Sequence, residues 1–156
     1  MFKLVAPADG DSTRVQCHRG GELHARHGTA FIYITHDIAT ARHFSHRIAV
    51  MYLGRIVELG PTRQVIENPL HPYTQALVGA VPKPDPINRL SRRGSVTGEP
   101  ANPMNPPSGC HFHPRCLYSI VGQCDATAPM QVEIKQGQFV ECHLWVKPDA
   151  NARLPK

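Results

Sequence analysis

From Ala30 onward the hydrophobic positions fall into short blocks separated by turn residues, whereas residues 1–29 show no sustained period of two or of 3.6 and read as a poorly specified leader. Phe31–Thr35 (FIYIT) is a β-branched and aromatic run of the kind that makes a buried strand. Ile38, Ala41 and Phe44 or Ser45 follow at helical spacing, with Asp37 placed to cap the helix N-terminus. Arg47–Leu53 (RIAVMYL) is apolar on both alternating faces, which predicts a strand covered on both sides; Gly54 then allows a hairpin turn into RIVEL. Gly60 and Pro61 are expected to break that second strand. Thr62 is expected to cap a short helix running through Glu67, which Asn68–Pro69 stops. In HPYTQALVGA, Pro72 suits the first helical position, and Tyr73, Ala76, Leu77 and Ala80 form a stripe at i, i+3, i+4 and i+7.

Seven prolines lie between Pro82 and Pro107, together with Arg89, Arg92 and Arg93, a composition that marks a linker or an extended arm. A compact tail from Ser108 to about Lys147 carries four of the five cysteines. The chain thus divides into a leader (1–29), an α/β segment (30–81), a proline-rich linker (82–107), a Cys-rich segment (108–147) and a tail (148–156). A length of 156 residues suits one domain or slightly more, since single cores typically occupy ~100–200 residues. The longest apolar run, Ile48–Leu53, is far short of the ~18 residues that cross a bilayer. The start MFKLVAPADG has no secretory pattern, so a cytoplasmic chain with reduced thiols is expected. The net charge of +5 is spread along the chain apart from the three linker arginines, which read as a solvated segment rather than a nucleic-acid site.

Two groups of residues carry candidate chemistry. His36, in ITHD, sits just past an apolar strand, and in open α/β sheets ligands gather at the carboxyl ends of strands; an imidazole there reaches a bound phosphate or a water. The competing reading is a hydrogen-bonded turn residue. Cys110, Cys116, Cys124 and Cys142 are separated by five, seven and seventeen residues. Four thiols so close together in a cytosolic chain favour a metal site over disulfides. Zinc sites usually bring cysteines in C-x₂₋₄-C pairs, which these gaps do not match, and four soft thiolates also hold an iron–sulfur cubane. Cluster, zinc and unmetallated buried thiols stay open on spacing alone. His111, His113 and His143 adjoin these cysteines, with packing or surface roles favoured over sulfur ligation. Arg115 stands where it can offset thiolate charge or make a surface ion pair, Trp145 reads as core, and Cys17 as an isolated free thiol.

The stretch ITHDIATARHFSHRIAVMYLGRIVELGPTRQVIENPLHPYTQALVGAVP, followed by GEPANPMNPPSGCHFHPRC, resembles the C-terminal third of the ATP-binding subunits of oligopeptide and dipeptide ABC transporters, over about residues 30–146. The resemblance implies an α/β fold: the C-terminal part of an ABC-type ATPase (P-loop NTPase) domain followed by a small Cys-rich, metal-bearing extension. It implies that His36 is the switch histidine that contacts the γ-phosphate of ATP across a dimer. It also implies that Cys110, Cys116, Cys124 and Cys142 hold a [4Fe–4S] cluster, with zinc as the alternative. The implied partners are a second ATP-binding subunit and transmembrane permease subunits, with peptide substrate met only indirectly, on the inner face of the cell membrane. His46 stands where family members usually carry an acidic residue that is not a nucleotide ligand.

A phosphate-binding loop needs G-x-x-x-x-G-K-[ST], yet none of the lysines at 3, 83, 135, 147 and 156 follows a glycine. No Ser-Gly-Gly signature precedes His36, no acidic pair ends an apolar strand, and Glu22 lies in RGGELHARHG rather than at a strand end. Positioning and charge stabilisation supply nearly all catalysis of phosphoryl transfer. The expectation is therefore a truncated subunit that does not hydrolyse ATP alone. A stand-alone thiolate-metal docking module without nucleotide function is the competing class, and a remnant that never folds is the third.

Overall fold

The computed structural model describes residues 2–5, 26–27, 30, 32–81, 98–99 and 101–146. Cys17, Glu22 and the arginines at 89, 92 and 93 lie outside the described residues. Strands β1 (Phe2–Val5), β2 (Tyr33–Thr35), β3 (Arg47–Tyr52), β4 (Arg55–Pro61), β5 (Gln131–Lys135) and β6 (Gln138–Glu141) form one sheet in the order β2-β1-β3-β4-β6-β5. Its pairings are antiparallel, with Leu4 opposite both Tyr33 and Ile48, Ala49 opposite Leu59, and Leu59 also opposite Phe139. The helices are α1 (Ile38–Phe44), α2 (Thr62–Glu67), α3 (Pro72–Ala80) and α4 (His143–Val146).

The hairpin expected from RIAVMYL and RIVEL is present, turning at Leu53–Gly54. Ile48, Ala49 and Val50 are consecutive and all buried, which is the mark of a strand covered on both faces. Ile38 and Ala41 of α1 pack with Ile48, Val50, Tyr52, Val57, Val65 and Phe112 in the main core. A second cluster joins Leu70, Val140 and Cys142 with half-buried Val132, Ile134, Leu144 and Trp145. Trp145 is thus core-facing as expected, and its indole N–H donates to the Leu70 carbonyl at 3.1 Å. No helix among the described residues is long and apolar enough to cross a membrane.

Several local expectations are corrected. The strand expected to be buried over Phe31–Thr35 is shorter, and Ile32 and Ile34 are exposed because β2 is the outermost strand of the sheet. The leader contributes β1, a strand too short for its period to register. Gly60 and Pro61 do not break β4, which runs through both. Gly60 is buried against β6, where a Cβ would meet Gln138 at 3.1–3.2 Å. Thr62 is not the cap of α2 but its first residue, with Pro61 before it, and its hydroxyl is shared with that of Ser45 at 2.8 Å. In α3 the buried side is offset from the expected stripe: Thr74 is fully buried, Tyr73 and Leu77 are partly so, and Ala80 is exposed. Asn68 ends α2 and Pro72 opens α3, as predicted.

The knot that fixes this arrangement is Glu58, which is wholly buried. Its carboxyl accepts the backbone N–H of Leu70 and of His71, each at 2.9 Å, and the amide of Gln138 at 2.9 Å. The same Gln138 amide donates to the Asn68 carbonyl at 3.1 Å. One side chain of β4 thereby ties down the entry to α3 and the start of β6. His71, pushed down to about 3 by burial, is a neutral ring whose Nδ1 accepts from the Tyr73 N–H and caps α3.

Desolvation raises the Glu58 carboxyl above its ordinary 4.5, outweighing the donors from His71, Leu70, Thr74 and Gln138. A carboxyl raised on folding holds more protons folded than unfolded. Its contribution is complete below the unfolded value near 4.5 and is lost as pH climbs through the folded value. In urea melts across that window, the stability of wild type relative to Glu58→Gln should be greatest at the acidic end and fall with rising pH. The fall should be about 1.4 kcal/mol for each unit of the shift. A difference that grows with pH would show that the ionised form is the one the fold favours.

Candidate functional site

Residues 108–125 fold back so that the segment holding Cys110 lies directly against the one holding Cys124. The Cys110 N–H donates to the Cys124 carbonyl at 2.8 Å, and the Ser108 hydroxyl donates to the Asp125 carbonyl at 2.7 Å. Gly109 permits this approach. It has φ +66°, and a Cβ there would stand 2.4 Å from the Cys124 carbonyl oxygen. Beyond Cys110 a short 3₁₀ turn (His113–Arg115) delivers Cys116, while β6 delivers Cys142 immediately after its last residue.

The four thiols lie within electrostatic range of one another. Cys124 and Cys142 are buried, Cys110 and Cys116 half-buried, and all four are free of disulfides. Burial pushes Cys142 up to about 12 and Cys116 up to about 11, and raises Cys110 as well. A smaller part of each rise comes from the other sulfurs: Cys142 feels Cys110, Cys116 and Cys124, Cys116 feels Cys110 and Cys124, and Cys110 feels Cys124. Every pair within the set is therefore in electrostatic reach. No three His, Cys, Asp or Glu side chains among the described residues are grouped as they would be around a single ion.

Each sulfur also meets a backbone donor. The N–H groups of Phe112 and His113 point to Cys110, that of Tyr118 to Cys116 and that of Leu144 to Cys142. The Ile120 N–H donates to Cys124 Sγ at 3.3 Å. Donors aimed at sulfur favour its anionic form, so they oppose the desolvation that raises Cys110, Cys116 and Cys142, and desolvation wins. Asp125 and Glu141 supply the nearest described carboxyls in sequence, and Glu141 is engaged by Arg55 Nε.

The neighbouring histidines turn their ring nitrogens to carbonyls. Nδ1 of His111 pairs with the Leu53 carbonyl at 3.1 Å and Nδ1 of His113 with the Cys110 carbonyl at 2.9 Å. Buried His143 places Nε2 on the Thr127 carbonyl at 2.8 Å and Nδ1 on the Gln123 amide at 3.2 Å. They position backbone, in keeping with the packing roles expected of them. Arg115 is half-buried and lies close enough to Tyr73 to act on its hydroxyl electrostatically.

His36 is distant from this cage in the topology: it is exposed at the carboxyl end of β2, before α1, with the Asp37 carbonyl accepting the first helical N–H, that of Ala41. The Asp37 N–H donates to Thr35 Oγ1 at 3.1 Å, fixing the turn that presents the imidazole. Sequence reading missed the ring layer that backs the cage. Tyr52, Tyr73, Phe112 and His71 lie with centroids 4.7–5.8 Å apart, and only the aromatic spacing in HPY and CHF hints at it.

Comparison with known proteins gives the chain a context. A family model described as the oligopeptide/dipeptide transporter C-terminal region matches residues 57–124. The chain is 48% identical over 123 residues to a probable peptide ABC transporter ATP-binding protein of Sinorhizobium fredii, covering 79% of this chain and 34% of that protein. It is 48% identical over 111 residues to the oligopeptide transport ATP-binding protein OppF of Salmonella typhimurium, covering 70% and 33%. To the di/tripeptide transport ATP-binding protein DppF of Pseudomonas aeruginosa it is 43% identical over 124 residues, covering 78% and 37%. The chain spans about a third of the length of the curated relatives it matches.

Two outcomes are expected of the metal-free, reduced chain. At a given pH Cys116 should hold about a hundredfold less thiolate than an ordinary thiol, and Cys142 less still, so both should alkylate slowly and accelerate with rising pH; peptide mass spectrometry reads the rates. Replacing Gly109 by Ala should cost ~2–4 kcal/mol in denaturant melts, because the clash is with backbone and the φ is left-handed.

Proposed function

Because the C-terminal part of this chain belongs to the family of ATP-binding proteins of peptide ABC transporters, we propose that it acts in a peptide importer, presenting His36 to ATP and carrying a cluster-bearing cysteine cage. The observation that supports the cage is that the four thiols lie within electrostatic range of one another, each met by a backbone N–H. Cys110, Cys116, Cys124 and Cys142 hold a [4Fe–4S] cluster in this reading. The support for a cluster over zinc is the spacing of the cysteines, whose gaps of five, seven and seventeen residues do not match the paired C-x₂₋₄-C pattern of zinc sites. When bound, the cluster supplies a covalent cross-link among four chain segments and a one-electron centre. The chain's part is to keep water away with the Tyr52–Tyr73–Phe112 layer and to direct amide dipoles at the sulfurs.

For His36, the support is its place at the end of β2 and the relatives' description as ATP-binding. Its imidazole would hydrogen-bond a terminal phosphate presented by a second ATP-binding subunit. Permease subunits would receive the resulting movement, on the inner face of the membrane, and peptide would be met only through them. These 156 residues contain no G-x-x-x-x-G-K-[ST] phosphate-binding loop. Exposed Ile34 of β2 and Ile32 just before it suit an apolar neighbour such as the remainder of an ATPase body.

Anaerobic reconstitution with ferrous iron and sulfide tests the cage. The expected product is brown, with about four irons and four sulfides per chain. Cys124→Ser should lose most of that iron, because it removes one of the two buried ligands. A colourless protein retaining stoichiometric zinc would replace the cluster with a single-ion site.

A further inference from the structure

The tip of the β3–β4 hairpin is held at three points by residues that adjoin two of the cysteines. The Leu53 carbonyl pairs with Nδ1 of His111 at 3.1 Å. The ring of Tyr52 meets that of Phe112 edge-on, at 5.2 Å and 85°. Arg55 Nε is paired with the Glu141 carboxylate. His111 and Phe112 directly follow Cys110, and Glu141 directly precedes Cys142. Tyr73 of α3 closes the grip, 4.7 Å from Tyr52 and 5.3 Å from Phe112.

The gripped turn is itself strained. Leu53 has φ +44°, the only left-handed residue other than glycine among the described residues. For a leucine that conformation persists only where surrounding contacts over-determine it. The two-residue hairpin loop calls for positive φ at both Leu53 and Gly54, and His111 adds a hold on the carbonyl of the strained residue. The segments bearing Cys110 and Cys142 are 32 positions apart in sequence, so what fixes one relative to the other also fixes the grip.

We propose that the β3–β4 hairpin tip reads the state of the four sulfurs: occupancy of the cage is transmitted through His111, Phe112 and Glu141 to β3 and β4, and so into the sheet. This rests on the reading of the cysteines as one cage, but not on which group fills it. A filled cage pins the Cys110 and Cys142 segments and holds Leu53 in its strained turn. An emptied or blocked one releases the tip, and the hairpin amides open more often.

The test is hydrogen exchange on the full chain, comparing the iron- and sulfide-loaded form with the reduced metal-free form. In wild type, loading should slow exchange across residues 47–61 by about tenfold or more. In a variant combining His111→Ala with Phe112→Leu, loading to the same iron and sulfide content should leave residues 47–61 within about twofold of their metal-free rates, while residues 108–124 still gain protection. Wild type without slowing at 47–61, or a variant that keeps it, overturns the proposal. Failure of wild type to take up iron removes the cluster reading alone. In that event methyl methanethiosulfonate blocking of the thiols decides the coupling: faster exchange at 47–61 supports it, and unchanged exchange overturns it. If the double variant does not fold, Arg55→Gln, which removes only the third grip, should lower the loading effect at residues 55–61 and is read in the same way.

Discussion

One carboxylate, removed entirely from water, decides where the rest of the molecule goes. Glu58 is in the middle of the sheet, and its acceptors are filled by amides from two distant stretches, Leu70–His71 and Gln138. An ionised or even a neutral carboxyl buried without partners would be costly, so each of those stretches is held to its place by the penalty for leaving. Through Leu70 and His71 the knot sets the start of α3 and therefore Tyr73. Through Gln138 it sets β6 and therefore Cys142. The two sides of the sulfur cage are aligned by a group that touches neither.

At the cage itself two electrostatic demands oppose each other. Burial and mutual repulsion raise Cys110, Cys116 and Cys142, while N–H groups from Phe112, His113, Tyr118 and Leu144 lower them. A purely structural thiol core would need no amides at its sulfurs, and an exposed nucleophile would not be so desolvated. Donors and burial together leave these sulfurs desolvated and hydrogen-bonded at once, which holds them protonated and slow to react. The ring layer serves the same end, because aromatic faces exclude water without adding charge.

Much of residues 38–81 was legible in the sequence, since its signals are local: the double-faced run of β3, Gly54 at the turn, Pro72 at the first position of α3. What misled were residues whose role is set from a distance. Gly60 reads as a strand breaker by composition, yet it is a strand residue kept small by Gln138, 78 positions later. Thr62 reads as a cap, yet its hydroxyl is taken by Ser45. Phe31–Thr35 reads as buried, but burial depends on what lies beside β2, which no local period reveals. For the site, cysteine spacing pointed to a shared occupant; the fold puts the four thiols within electrostatic range of one another, and no three metal-ligating side chains among the described residues are grouped to hold an ion. The amides that serve the sulfurs, and the hairpin tip seated on the cage, have no sequence signature because backbone groups carry no residue code.

The segment from Ser108 reads in sequence as a separate appendage. In the fold, β6 pairs with β4 and carries β5 beyond it, so the last third of the chain finishes the sheet that β3 and β4 begin. Leu70 packs with Val140 and Cys142, and Phe112 packs with Val50's cluster, so each part supplies core to the other. Neither could bury its apolar faces alone, and unfolding of one must expose the other. The cysteines lie across this seam, Cys110 and Cys116 against the main core and Cys142 in the second cluster, so any ligand that bound the folded form there would add its binding free energy to the joint itself.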